Sequence, residues 1–205
     1  MMEYEPFCIY GFSTVCPINW SIVIDPSLER SEGCITFKSV NNSNIVVSWK
    51  SLEKTQNKYS TLKEHVEESI DRIKKEKRVK TVQLIKTKNM QVNSHDAIFS
   101  HIRMTFSMPK LLPFRTRTHD QYVYSLHLYC EQTNRCFIIY GVTKSDKSSE
   151  LDRAFKKVIG FFACHNVNAH IDSHTLSSRE SIGWEEKDAK RDNDISSKRK
   201  HSAHK

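Results

Sequence analysis

The amino-acid sequence predicts an α+β domain, an antiparallel sheet of about six to eight strands with two main helices, Thr61–Lys77 and Ser149–Ala163. Three observations carry this expectation. Apolar residues alternate with a period of two through several consecutive short segments, and the period lengthens to 3.6 in only two places. The strand-like segments come in blocks, so the order is four strands, a helix, four strands and a helix. Blocks of this kind pair antiparallel and leave the helices to pack on the sheet, whereas strict strand–helix alternation would build a parallel sheet.

The first block opens with a strand from Phe12 to Cys16, followed by the turn residues Cys16-Pro17-Ile18-Asn19. Trp20, Ile22 and Ile24 then alternate with Ser21 and Val23, and Ile35 and Phe37 alternate after Gly33. Asn41-Asn42-Ser43-Asn44 is turn chemistry, and Ile45, Val47 and Trp49 alternate beyond it, so the pair reads as a hairpin. Trp20 and Trp49, each at an alternating apolar position, are expected in the core. Leu62, Val66, Ile70 and Ile73 stand on one face of the first helix. Thr61 and Glu64 have the spacing of a capping box, in which each side chain can satisfy a free backbone N–H of the other. Lys80–Lys88, Asp96–Phe106, Gln121–Cys130 and Arg135–Val142 form the second block, the last two joined by Glu131-Gln132-Thr133-Asn134. Tyr122, Tyr124, Leu126 and Leu128 point one way along their strand, while Val123, Ser125, His127 and Tyr129 point the other. The second helix places Leu151, Phe155, Val158, Ile159 and Phe162 on one face.

Composition sets the organisation. Apolar residues make up 38% of the 205 residues, below the roughly 45–50% of a globular domain, and the deficit is concentrated at the C-terminal end. Residues 166–205 contain only Val167, Ile171, Leu176, Ile182, Trp184 and Ile195 as large apolar side chains. Such a segment buries too little to offset its ordering entropy, so the expectation is a domain over 1–165 and a polar, largely disordered tail over 166–205. No run approaches the ~20 apolar residues that span a bilayer. The acidic N-terminal residues are unlike a secretory signal. Six cysteines without a C-x-x-C pair then read as reduced, structural thiols in a cytoplasmic protein. The five glycines are too far apart for G-x-G-x-x-G or a P-loop, which excludes the commonest nucleotide-binding architectures.

The ordered succession resembles the PsbP-like superfamily, in the manner of its archaeal-type members. The likeness is carried by Gly11-Phe12 leading into Cys16-Pro17-Ile18-Asn19-Trp20, by Ile45-Val46-Val47-Ser48-Trp49 before the first helix, and by Val92-Asn93-Ser94-His95-Asp96-Ala97. It closes on two long strands and a helix ending in Phe161-Phe162-Ala163-Cys164, and covers residues 7–165. The superfamily includes an extrinsic photosystem II subunit and a Ran-binding nuclear-import factor. The resemblance implies an α/β/α sandwich around the antiparallel sheet, used for interaction rather than chemistry. It assigns no contact residue, because none can be matched position by position.

Four groups of residues are candidates for function. Cys164-His165 with His170 and His174 could ligate a metal, but only Cys164 belongs to a rigid element, so no metal and no cofactor are expected. His95, His101, His119 and His127 lack a nucleophile turn or an oxyanion donor set beside them and read as solvated or core histidines, so no catalytic residue is assigned. Lys74, Lys75, Lys77, Arg78, Lys80, Lys86 and Lys88 oppose Glu76 alone, a net charge of +6 with no aromatic residue for base stacking. This patch suits a solvated surface, an acidic protein or a phosphate backbone. The segment 108–119 is held extended by Pro109 and Pro113 and carries Leu111, Leu112 and Phe114, flanked by Lys110, Arg115 and Arg117, the composition of an apolar anchor with a basic edge. The sequence therefore points to a non-catalytic binding domain with a protein partner and no membrane association. Its alternatives are a nucleic-acid-associated auxiliary protein using 74–88 and the basic C-terminal end, and then an enzyme.

Overall fold

Nine strands and three helices follow one another in the computed structural model, which describes residues 2–107, 118–144 and 149–165. They are β1 (Tyr4–Ile9), β2 (Phe12–Pro17), β3 (Ser21–Ile24), β4 (Gly33–Lys38), β5 (Asn44–Ser51), α1 (Leu52–Gln56), α2 (Leu62–Lys74), β6 (Val79–Val92), β7 (His95–Ser107), β8 (Thr118–Cys130), β9 (Arg135–Thr143) and α3 (Ser149–Gly160). Strands β1 and β2 form a separate hairpin. The other seven make one antiparallel sheet in the order β3-β4-β5-β9-β8-β7-β6. Two meanders, β3-β4-β5 and β6-β7-β8-β9, therefore meet where β5 pairs with β9, and α1 and α2 lie between them in the chain. The α+β class and the central antiparallel sheet are those the sequence predicts.

Tight turns set the register. Tyr10-Gly11 and Asn93-Ser94 are two-residue hairpin loops with positive φ at both positions (47° and 78°, 48° and 65°), the type I′ geometry that matches strand twist. Asn42 and Asn134 take left-handed conformations at two of the turns the sequence predicts, which asparagine tolerates better than most residues.

Alternation then sorts side chains onto two faces. Ala97, Phe99, Leu126, Leu128, Phe137, Ile139, Ile45, Val47 and Trp49 join Leu151, Phe155, Val158 and Ile159 of α3 and Phe12 of β2 in the main core. Trp20 also belongs to it. On the opposite face, Ile102, Met104 and Val123 meet Ile70 and Ile73 of α2. The sheet is thus the middle layer of a sandwich.

The helix ends differ from the sequence-based boundaries for local reasons. Thr61 Oγ1 accepts from the Glu64 amide at 3.1 Å, but the Glu64 carboxylate accepts from the Ser60 amide (2.8 Å) and hydroxyl (2.6 Å), one residue beyond the expected partner. Helix α2 stops at Lys74 rather than Lys77, because no apolar residue after Ile73 would extend its buried stripe. Helix α3 stops at Gly160 rather than Ala163, because Ala163 exchanges both backbone hydrogen bonds with Ser13 of β2 (2.8 and 2.9 Å). Strand β1 and the five-residue α1 are absent from the sequence reading, the first for want of clean alternation and the second because it is shorter than two helical turns. The predicted tail, 166–205, lies outside the described residues.

Trp49 is 1% exposed, packs against Phe12 at 5.1 Å between ring centroids, and donates its indole N–H to the Glu29 carbonyl at 3.1 Å. Trp49→Ala is expected to lower the unfolding free energy by about 3–5 kcal/mol, read from urea denaturation.

Candidate functional site

The chemistry-bearing side chains gather at two places on the sheet. The first lies where the β6–β7 and β8–β9 hairpins end. Ala97 pairs with Leu128, and extending that antiparallel register by two residues sets His95 opposite Cys130 on the same face. The Ser13–Ala163 bridge fixes the chain just before Cys164 and His165 and delivers both to the same corner. His165 Nδ1 lies 3.2 Å from Cys164 Sγ, 3.5 Å from Cys130 Sγ and 3.4 Å from His95 Nε2. All four ligand-type atoms fall within 4.8 Å of one another. Both cysteines are buried and both imidazoles half-buried, so the sulfurs form the inner side of the cluster and the rings the outer.

Polar neighbours surround the sulfurs. Asn93, in the β6–β7 turn, donates Nδ2–H to Cys164 Sγ at 3.8 Å. The Cys164 thiol donates to Cys130, and this hydrogen bond, aided by Thr133 and His165, holds Cys130 well below the usual thiol range. Cys164 is pushed up in return, since it keeps the proton the pair shares. Arg135 is buried alongside, donating Nη1–H to the Tyr10 carbonyl at 3.0 Å with its guanidinium over Phe137. Burial lowers its pKa, and the nearby sulfurs act against that shift.

The second place is the layer beneath α2. Ile73, Phe106, Tyr140 and Val142 are only partly buried there, around a cavity of about 510 Å³ that also reaches Ser125 and His127. A neighbouring cavity of about 590 Å³ shares Glu76, Phe106 and Gln121 with it and adds Lys77, Arg78, Ser107 and His119. Deeper in this layer His65 stacks on Tyr59 at 4.6 Å between ring centroids and meets His127 edge-on at 5.1 Å. Neither ring nitrogen of His127 has a hydrogen-bond partner among the described residues. Burial brings His65 down to about 4, with Lys50 and Lys58 adding to it. Burial likewise brings His127 down to about 3, with His65 contributing.

The predicted basic patch is divided by the fold. Lys74 pairs with Asp71 at 2.8 Å, and Lys75 caps the end of α2. Lys77 and Arg78 border the second cavity. Lys80, Lys86 and Lys88 lie along β6, an edge strand whose register shifts around Lys80 and Ile85. Lysines and bulges on an edge strand discourage pairing with another sheet, which gives that half of the patch a structural role. Lys110, Leu111, Leu112, Phe114, Arg115 and Arg117 lie outside the described residues, as do His170 and His174. The strands flanking that segment end at Ser107 and Thr118, at the cavity end of the sheet. His95 and Cys130 are the site residues that sequence reasoning did not bring together. The usable signal was that the Asn93-Ser94 turn and the 131–134 turn close the same end of adjacent strands.

No protein-family model matches the chain, and no curated protein matches it in sequence. Solved structures do match its fold. The solution structure of cyanobacterial PsbP (CyanoP) from Synechocystis sp. PCC 6803 is similar with a TM-score of 0.53 at 11% identity, over 80% of this chain and 93% of that one. The crystal structure of the Saccharomyces cerevisiae Ran-binding protein Mog1p has a TM-score of 0.53 at 9% identity, over 83% of this chain and 100% of the other. A mutant of the protein Mog1 gives 0.52 at 8% identity, over 85% and 100%. The chain therefore has the PsbP/Mog1 fold. At these identities the likeness is one of fold alone.

The buried imidazoles carry a pH dependence. Both folded values lie below the ordinary value of about 6.5, so in the acid range the unfolded chain binds protons that the folded chain does not. Their contribution to stability is complete above about pH 6.5 and is lost as the pH falls towards the folded values. Urea midpoints at pH 7 and pH 5 should differ by about 1–3 kcal/mol in unfolding free energy. His127→Leu should shrink that difference; an unchanged difference would mean that His127 is not buried as a neutral ring.

Proposed function

We propose that this chain is a non-catalytic protein-binding domain, working in the cytoplasm, that receives an acidic segment with apolar anchors in the groove beneath α2. The observation that carries this reading is an underfilled apolar layer at a basic corner. Ile73, Phe106, Tyr140 and Val142 border the cavity, and Lys77 and Arg78 stand at its continuation. An apolar groove can supply the anchor on which small interfaces depend. Rim cations act mainly on the association rate of an oppositely charged partner. The Saccharomyces protein of the same fold is named for binding Ran, which supports protein binding as a use of this scaffold and assigns no partner here. The segment 108–119, expected to be an interaction loop, joins the reading because β7 and β8 end beside the groove, although Thr118 and His119 belong to β8 and not to a loop.

The test is affinity capture on the domain and on its Ile73→Asp variant in parallel, with half of each sample treated with nuclease. The partner should be recovered on the wild type with or without nuclease and lost at least tenfold on Ile73→Asp, whose circular dichroism should be unchanged. Raising salt should slow its association more than it speeds its release. Partners that bind Ile73→Asp equally well would sink the groove. Loss of every partner after nuclease, with a steep salt dependence, would replace this reading by phosphate-backbone binding along 74–88.

A further inference from the structure

We propose that His95, Cys130, Cys164 and His165 bind one zinc ion in a tetrahedral site that fastens the end of α3 to the β6–β7 and β8–β9 hairpins. Four donors converge there from three separate parts of the chain, one atom each: His95 Nε2, Cys130 Sγ, Cys164 Sγ and His165 Nδ1. Two thiolates and two imidazoles are the donor set that selects zinc over the hard cations magnesium and calcium.

Distances favour a shared ion over a set of hydrogen bonds. Zinc–sulfur and zinc–nitrogen bonds of ordinary length, at tetrahedral angles, put two nitrogens about 3.4 Å apart and a nitrogen and a sulfur about 3.6 Å apart. The two imidazole nitrogens here are separated by 3.4 Å, and His165 Nδ1 stands 3.5 and 3.2 Å from the two sulfurs. A ring nitrogen carries either one N–H or one lone pair in its plane, so it can make one good hydrogen bond at a time. His165 Nδ1 has three neighbours at that range. An ion at the common centre satisfies all four atoms together.

The surroundings suit a structural site. Four protein ligands fill the tetrahedron and leave no position for substrate. Two thiolates neutralise the dication, so a neutral unit sits at the edge of the core instead of a buried charge. Asn93 directs an N–H at Cys164 Sγ, an outer contact of the kind that orients a metal-bound thiolate. Binding displaces to solvent the proton that the two sulfurs share and involves no change of oxidation state.

The full chain, stripped of metal under reducing conditions and titrated with zinc, should take up one equivalent. The cobalt(II)-loaded chain should show the intense visible bands and the sulfur-to-metal charge transfer of a tetrahedral thiolate site. Chelation should lower the melting temperature of the zinc-loaded protein. His95→Gln, a change at the half-buried first residue of β7, should weaken zinc at least about tenfold in competition with a chelator, while the folded circular dichroism persists. Cys130→Ser should weaken the charge-transfer band by about half or more, since one of the two thiolates is lost. His170→Gln with His174→Gln should leave zinc uptake unchanged. The proposal is overturned if the folded, reduced chain takes up no zinc, or if His95→Gln binds it as tightly as the wild type. It is equally overturned if the His170/His174 pair proves necessary, or if the native protein has lost two hydrogens to a Cys130–Cys164 disulfide.

Discussion

Residues two apart on an antiparallel ladder share a face, and β7, β8 and β9 obey that rule over their whole paired length. From this one constraint both outer layers follow. Phe99, Leu126 and Ile139 are committed to α3, and Ile102, Val123 and Tyr140 to α2. A slip of one residue anywhere in the ladder would turn α3's partners toward α2 and bring Ser100, Ser125 and His127 against the aromatic core. The tight Asn93-Ser94 loop prevents that slip between β6 and β7, and the Asn134 turn does so between β8 and β9. The same register sets His95 beside Cys130, so the cysteine–histidine cluster depends on the constraint that builds the core.

The sheet also keeps its two chemically distinct places apart. Strand β7 covers about 40 Å at the usual rise per residue, with His95 at one end and Ser107 beside the basic cavity at the other. The His95 end is closed by a two-residue turn and by the Ser13–Ala163 bridge, whose paired backbone resists opening. The Ser107 end is bordered by half-buried apolar side chains and open cavities. Tight closure at one end and incomplete packing at the other is a division that lets the proposed groove adapt without loosening the core.

Much of this was legible in the sequence, and the reason is periodicity. Trp49 among alternating valines and isoleucines, or Leu62, Val66, Ile70 and Ile73 at helical spacing, can be placed on a face without knowing the partner. Tyr4–Ile9 could not, because its exposed and half-buried residues do not alternate cleanly. The candidate cluster was harder still. Cys164-His165 stands out in the sequence, but nearby histidines such as His170 and His174 are where a reader looks for further ligands. The fold instead brings Cys130 from 35 residues away and His95 from 70 away to His165. That proximity requires the strand register and the turn of the chain at Ala163 together, and neither is encoded in the spacing of the ligands.

The two faces of the sheet differ in how completely polar atoms are satisfied, and the difference bears on which face can bind. On the α3 side, Thr14 and Glu150 find partners, while Ser13 Oγ has none among the described residues. Thr14 donates to the Val158 carbonyl at 2.7 Å, and the Glu150 carboxylate accepts from Ser39 and Asn41 at 2.8 and 2.9 Å. On the α2 face, His127 is buried with neither nitrogen engaged among the described residues. A buried imidazole in that state costs about 1–3 kcal/mol relative to a satisfied one, and an apolar residue in its place would fill the layer more cheaply. Such a local cost is characteristic of surfaces kept for recognition rather than stability. Because His127 and Ser125 line the same cavity as Ile73 and Phe106, a bound segment reaching that cavity could offer its polar atoms to the imidazole. On the proposed function, occupancy of the groove would relieve one of the unsatisfied buried groups among the described residues.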